Sequence, residues 1–257
     1  MNKTLVTGGT GLLGKEVVSR LLAKGRPVRI LTTQPAPVVP VQVEVCRGDL
    51  ASADGLQAAV KHCNTIIHCA SNPRAFQETD KQGTENLLNA IDRDAPPHFI
   101  YISIVGVDKS DYPYYVVKNQ VENMIAESGI PFTILRTTQF HHFVYNLIQA
   151  LVKTSHDVLE IPDGMKFQSI ELSEVAEKLI AIAEGKPNGL LPNFCGPQVL
   201  RFEEYVQQYL DITNDLISYK AVPLQGPRYD LFRSGINLCG VDPAAKITWK
   251  DFVAKSI

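Results

Sequence analysis

Apolar residues follow two alternating rhythms through the first half of the chain. Short β-rich runs at Lys3 to Thr7, Pro27 to Leu31, Val41 to Val45, Asn64 to His68 and His98 to Ser103 are interleaved with stretches of helical spacing. Over Leu12 to Ala23, residues Leu13, Val17, Val18, Leu21 and Leu22 recur three and four apart, and Gly25 stops the pattern. Further helices are predicted from a cap at Ser52 through Val60, over Glu78 to Arg93, and over Pro113 to Glu127. A sixth strand is predicted over Pro131 to Leu135, and Pro35, Pro37 and Pro40 mark the connector before the third. This alternation predicts right-handed βαβ units and a parallel sheet covered on both faces.

After residue 135 the rhythm changes. Helices near 140–152, 173–184, 201–212 and 248–255 are separated by longer, proline-containing stretches. The expected architecture is α/β, a Rossmann-type doubly wound parallel sheet with a smaller, mainly helical C-terminal cap. The first domain is placed at 1–150; the cap, at 151–257, forms one wall of a substrate cleft and packs partly back on the sheet.

Between the first strand and the first helix lies Thr7-Gly8-Gly9-Thr10-Gly11-Leu12-Leu13-Gly14, in which Gly8, Gly11 and Gly14 form G-x-x-G-x-x-G. One glycine permits the turn, another lets the backbone approach a pyrophosphate, and the third lets the helix pack close to the strand. Free amides and the dipole at the helix N-terminus favour the phosphate charge. A glycine triplet alone marks many plain turns; here it sits inside a strand–loop–helix unit that opens an alternating fold. Gly8, Thr10, Gly11, Leu12, Leu13 and Gly14 are therefore expected to bind a dinucleotide.

The second strand ends Leu31-Thr32-Thr33-Gln34, without the carboxylate that usually meets the ribose hydroxyls of NAD. Thr32 and Thr33 are expected at that ribose, and NADP(H) is preferred over NAD(H). Arg29 is either a partner for the 2′-phosphate or a mid-strand residue facing away. Asp49 and Leu50, after the third strand, are placed at the adenine edge or form a turn and helix cap. Cys69, Ala70 and Ser71 end the fourth strand, where small residues let the ribose and nicotinamide come close.

Tyr114 and Lys118 form Y-x-x-x-K on a helix that Asp111 caps and Pro113 starts, one turn apart on one face. The ammonium is expected to lower the phenol pKa and hold the nicotinamide ribose, while Tyr114 exchanges a proton with the substrate oxygen. Ser103, ending the fifth strand, is expected to donate to the same oxygen at the edge where open α/β sheets bind ligands. Tyr115 is the neighbouring alternative.

Together these residues resemble the atypical and extended short-chain dehydrogenase/reductases, in particular the NmrA-like NAD(P)-binding group. The resemblance is carried by T-G-G-T-G-L-L-G at 7–14, G-D-L at 48–50 and G-T-E-N-L-L at 83–88. It continues in Y-I-S-I-V-G-V at 101–107, Y-Y-V-V-K at 114–118, I-L-R-T-T-Q-F at 134–140 and F-Q-S-I-E-L-S-E-V-A at 167–176. It implies a cofactor over Gly8, Gly11 and Gly14, with Ser103, Tyr114 and Lys118 around the nicotinamide. Thr137 to Phe140 would close over the nicotinamide side, with Thr138 a cofactor contact. The implied activity is NAD(P)H-dependent reduction of a small carbonyl or quinone-like acceptor. A dinucleotide-sensing regulatory or assembly protein is the alternative, and a sugar-nucleotide epimerase or dehydratase a further one. The chain departs from many NmrA-like proteins in keeping a tyrosine, and from NADP-dependent relatives in having Thr33 where they often show arginine.

Composition narrows the partners. Twenty-five basic and twenty-seven acidic side chains leave a net charge of −2, which gives no electrostatic reason to expect nucleic acid or an anionic membrane. No apolar run approaches the roughly eighteen residues of a membrane span. The chain enters a strand directly after Met1-Asn2, leaving no room for a cleaved leader, so a cytoplasmic protein is expected, and it is compatible with a homo-oligomer. The five cysteines, Cys46, Cys63, Cys69, Cys195 and Cys239, show no C-x-x-C spacing and are expected to be reduced thiols. His141 and His142 are adjacent, so on a helix they point about 100° apart and suit one metal ion poorly. No metal is expected, and a cleft-wall role for one of them is the better reading. Phe167, Phe194 and Trp249 are read as core or cleft lining, and Glu171, Glu174 and Glu177 as a solvated helix face.

Overall fold

The computed structural model describes residues 3–154, 158–240 and 245–256. The alternating rhythm becomes β1 (Lys3–Thr7), α1 (Leu12–Ala23), β2 (Val28–Thr32), β3 (Glu44–Arg47), α2 (Leu56–Val60), β4 (Cys63–His68) and α3 (Gly83–Asn89). It continues through β5 (His98–Ile104), α4 (Pro113–Glu127) and β6 (Phe132–Thr137). Then come α5 (His141–Thr154), β7 (Val158–Pro162), β8 (Lys166–Phe167), α6 (Leu172–Glu184), β9 (Gly189–Leu190) and β10 (Leu200–Arg201). The chain closes with α7 (Phe202–Thr213), β11 (Ser218–Val222), α8 (Pro227–Ser234) and α9 (Trp249–Ser256).

The main sheet has the order β3-β2-β1-β4-β5-β6-β9, with parallel pairing from β3 through β5 and again between β6 and β9. Its first six strands give the doubly wound order, whose direction reverses between β1 and β4. Every residue of β2 is buried, the mark of a strand with both faces covered. One core joins Leu5, Ile66, Phe99 and Ile134 from the strands to Leu56, Leu87, Val117 and Val121 from the helices.

The contacts divide the chain into two compact units, and the cut is not the single boundary expected at residue 150. The first holds 1–103, 113–136 and 175–192; the second holds 104–112, 137–174 and 193–257. The expected return of the later chain to the sheet is made by β9, whose Gly189 and Leu190 pair with Thr133 and Ile134. The second unit also carries two small sheets, β10 with β8 and β11 with β7, that the predicted run of helices lacked. Its core is aromatic: Phe167 lies 4.6 Å from Phe232, Tyr205 lies 5.1 Å from Trp249, and the Trp249 indole donates to the Tyr205 carbonyl.

Some local expectations shift. The third strand starts at Glu44 rather than Val41, displaced by Pro40. Ser52 does not cap α2; it donates to Asp54, and Gly55, at φ +71°, occupies the cap. The helix expected from Glu78 opens as a π-helical turn, Gln77–Gln82, and ends at Asn89 instead of Arg93. Cys195 and Cys239 are not reduced thiols but are joined by a disulfide, 44 residues apart, between loops of the second unit. No spacing rule marks such a pair. Glu174 is not merely solvated, since its carboxylate accepts from the Lys246 and Ile247 amides.

Among the described residues no helix is long and apolar enough to cross a membrane, and no group of histidine, cysteine and acidic residues is set to hold a metal. His141 is buried in the second unit, its ring bonded to Ser169 and to the Ile247 carbonyl and packed on Trp249 and Phe252, so of the two histidines this one has a core role.

Candidate functional site

The turn after β1 is shaped by atoms that leave no space for side chains. Gly8 takes φ +66°, and a Cβ there would lie 2.8 Å from the Ala70 amide nitrogen. A Cβ on Gly14 would fall 2.1 Å from the Gly8 carbonyl oxygen, so β1 and α1 approach as closely as they do only because Gly14 has none. The Gly11 amide closes the turn on Gly8 O at 2.8 Å. Gly11 then caps α1 with no side-chain hydrogen bond and no acidic residue in the first turn, so the first amides of the helix face outward unanswered. These features suit a pyrophosphate, with Thr10 in the turn and Leu12 and Leu13 offering main-chain amides while the Leu13 side chain is buried in the core.

At the neighbouring strand ends, Thr32 Oγ1 accepts from the Gln34 amide and Thr33 is exposed. Arg29 faces away: it is buried, bonds Glu44 and caps α2 through the carbonyls of Ala58, Ala59 and Lys61. Its guanidinium is committed to these protein partners, as expected of a mid-strand residue facing away. Asp49 accepts from the Ala51 amide, a turn contact, and Leu50 belongs to the core. Thr138, in the second unit, is buried and accepts from the Gly196 amide.

The polar cluster lies at the ends of β4 and β5. Lys118 is buried, and its ammonium donates to the Ile102 carbonyl at 3.1 Å, lies 3.7 Å from an Asp80 oxygen and sits 4.2 Å over the Tyr101 ring. Burial lowers its pKa, and Asp80 partly restores it. Tyr114 is half-buried and bonds Ser71 Oγ at 2.7 Å, while Tyr115 is buried away from that contact. Ser71 donates to Asp80 at 2.6 Å, and the Asn72 amide donates to the other Asp80 oxygen at 3.0 Å. The expected lowering of the phenol pKa is reversed. Burial and, after it, the Asp80 charge push Tyr114 well above its ordinary value, outweighing the opposite effect of its hydrogen bond with Ser71. Ser103 is buried, its hydroxyl without a hydrogen-bond partner among the described residues, and it projects to the same face of β5 as Tyr101. Cys69 is pushed up to about 12 by burial and stays a thiol.

Asp80 went unnoticed in the sequence. Its signal was present: it lies four residues before Thr84, so a lone acid shares the buried face of Thr84, Leu87 and Leu88. The π-helical turn, a form frequent at functional sites, carries it. His68 ties this turn to the glycine loop, bonding Thr7 Oγ1 at 2.6 Å and Thr84 Oγ1 at 3.0 Å, while Thr84 donates to the Asp80 carbonyl. The Thr84 proton is thereby committed, so His68 Nε2 donates and Nδ1 accepts from Thr7. The neutral ring fits its pKa, lowered to about 3 by burial.

A glycine turn at the switch between β1 and β4, with an unpaired serine, a tyrosine and a lysine nearby, defines a Rossmann dinucleotide-binding protein. A family model described as NAD(P)H-binding matches residues 8–184, more than half the chain, and the protein belongs to that family. The resemblance to the short-chain dehydrogenase/reductases is borne out. The photosystem II assembly factor Ycf39 of Synechocystis is 25% identical over 73% of this chain and 64% of its own length. The chain spans about half the length of several curated relatives it matches. Among solved structures, a nucleoside-diphosphate-sugar epimerase from Staphylococcus aureus superposes with a TM-score of 0.82 at 19% identity, over 99% of this chain and 100% of that one. An NADPH-dependent quinone oxidoreductase from Escherichia coli gives 0.77 at 16% identity, over 98% and 99%. At these identities the structures share the fold.

Proposed function

We propose that the protein is an NAD(P)H-dependent reductase and that its acceptor is quinone-like rather than a simple carbonyl. The observation that carries this is the Tyr114 phenol, which is hydrogen-bonded to Ser71 and held protonated beside an ion pair. When bound, the dinucleotide supplies a hydride. Reducing a simple carbonyl also requires a proton for the strongly basic alkoxide as it forms. A quinone accepts hydride to give a stabilised hydroquinone anion, which needs little acid help. A tyrosine whose proton is already engaged serves the second acceptor better than the first.

The chain's residues have distinct parts in this reading. The amides opening α1 hold the pyrophosphate, Ser103 offers its unpaired hydroxyl to the acceptor oxygen, and Lys118 fixes the cluster behind the nicotinamide ribose. NADP(H) is preferred, because Thr32 ends β2 and Thr33 follows it, where a carboxylate would repel the 2′-phosphate. Arg29 gives that preference no support.

The test is consumption of NADPH or NADH, followed at the nicotinamide band, with quinones, azo dyes and aldehydes as acceptors. Turnover fastest with quinones supports the proposal. Tight dinucleotide binding without turnover across the panel favours a second reading, a dinucleotide-responsive assembly protein, to which the similarity to a photosystem II assembly factor points. A direct titration decides between the cofactors, and tighter binding of NADH overturns the NADP(H) preference.

A further inference from the structure

The directions of the hydrogen bonds in the polar cluster follow from counting protons. Ser71 has one hydroxyl proton and gives it to Asp80 at 2.6 Å. Its 2.7 Å contact with Tyr114 is therefore one in which Ser71 accepts and the phenol donates. The chain runs from Tyr114 O–H to Ser71 O–H to the Asp80 carboxylate. On its other side Asp80 faces Lys118, whose remaining N–H directions are taken by the Ile102 carbonyl and the Tyr101 ring. Asp80 itself is 1% exposed, held by the Asn72 amide and built into the π-helical turn.

We propose that Asp80 is the positioning residue of this site: through Ser71 it turns the Tyr114 proton away from an incoming acceptor, and it sets a carboxylate charge against the phenolate that a transfer would leave. Its consequence for turnover rests on the reductase reading, while the arrangement of protons does not. An acceptor oxygen that takes the phenol proton must first displace Ser71 from it. In that transfer the phenol O–H bond breaks and an O–H bond forms on the acceptor. The phenolate left behind regains a proton from water through Ser71, which is solvent-exposed. The other ionisable groups around the pair are Tyr101 from β5, His68 at the end of β4, Cys69 just after it, and Glu122 from α4. Glu122 is engaged by the Arg136 guanidinium, so it does not replace Asp80.

The deciding measurement is an alkaline titration of tyrosinate absorbance in Asp80→Asn and in the parent, each with the same titration in a Tyr114→Phe background subtracted. Asparagine keeps the shape and removes the charge. Whether Lys118 then stays charged or loses its proton, the phenolate no longer faces a carboxylate. The Tyr114 signal is expected to appear at least about one pH unit lower in Asp80→Asn. Asp80→Ser carries the same difference titration where the asparagine variant does not fold. An unchanged titration overturns the proposal whether or not the protein turns over. A shifted titration in a protein that reduces nothing overturns only the reductase reading. In an active protein, Ser71→Ala frees the phenol proton and is expected to raise the aldehyde-to-quinone turnover ratio at least about threefold; an unchanged ratio counts against the proposal.

Discussion

Within the first unit, the turn from Thr7 to Gly14 and the cluster of Ser71, Asp80, Tyr114 and Lys118 are built from opposite materials. The turn works through main-chain atoms that approach closely because side chains are missing. The cluster works through side chains brought from the end of β4, a π-helical turn and α4. A change in the turn acts by collision; a change in the cluster acts by leaving a polar group unanswered. The turn is therefore the part most sensitive to added volume, and the cluster the part most sensitive to a change of charge.

The largest effect is expected in the cluster. Lys118→Met removes the cation and leaves Asp80 buried without its partner, at a cost of about 3–5 kcal/mol in unfolding free energy. Adding Asp80→Asn to that variant removes the orphaned charge and should recover much of the loss. Urea unfolding of the parent, the single variant and the pair tests this; equal instability of both variants would show that shape, not charge, is what the cluster supplies.

Next comes the turn. Gly14→Ala sets a Cβ against the Gly8 carbonyl and the Gly9 Cα, both main-chain atoms that have little freedom to yield. About 3 kcal/mol of destabilisation is expected from such overpacking, together with loss of dinucleotide binding. Both follow from a thermal melt and an NADPH titration. Unimpaired binding would mean that the phosphate does not rest on this turn.

The same contrast explains what the sequence disclosed. The glycine turn is local: its partners lie within a few residues, so spacing alone exposes it, as it does β1, α1 and the alternation that follows. Asp80 and Lys118 lie 38 positions apart by their numbers, and Ser71 and Tyr114 meet across 43. Nothing in periodicity states that these four converge, although Y-x-x-x-K picked out two of them. The reversal of the Tyr114 shift comes first from burial, which no spacing shows, and then from Asp80, which the spacing did not single out. β9, only Gly189 and Leu190, is too short for any rhythm, and the Cys195–Cys239 bond depends on loops that the sequence cannot fold together on paper.

His68 joins the two regions, so acid should act on both through it. Its folded pKa, about 3, lies below the ordinary 6.5, so the unfolded chain takes up a proton first. The stability it contributes is complete above pH 6.5 and is lost as pH falls toward 3. The expected slope is about 1.4 kcal/mol per pH unit in the middle of that window. His141, lowered to about 4 in the second unit, has the same sign. His68→Asn should therefore flatten the slope of unfolding free energy against pH between 7 and 4.5 without abolishing it, and an unaltered slope would remove His68 as the link.

The smallest effect is expected at Tyr114, and it bears most directly on chemistry. Tyr114→Phe keeps the ring that packs 5.8 Å from Phe76 and 6.4 Å from Tyr115 and deletes only the hydroxyl. Ser71 still donates to Asp80, so no charge is orphaned, and stability should change by less than about 0.5 kcal/mol. Dinucleotide affinity, set at the turn, should not move. Quinone turnover should fall by less than about tenfold, because proton transfer contributes little when the product anion is stabilised, whereas aldehyde turnover should fall by about a hundredfold or more. A comparable collapse with both acceptors would mean that the phenol proton is transferred during the reaction itself. The Ser71 bond would then be a resting contact that every acceptor breaks, and the contrast between a rigid turn and a self-restrained cluster would hold only for the unliganded protein.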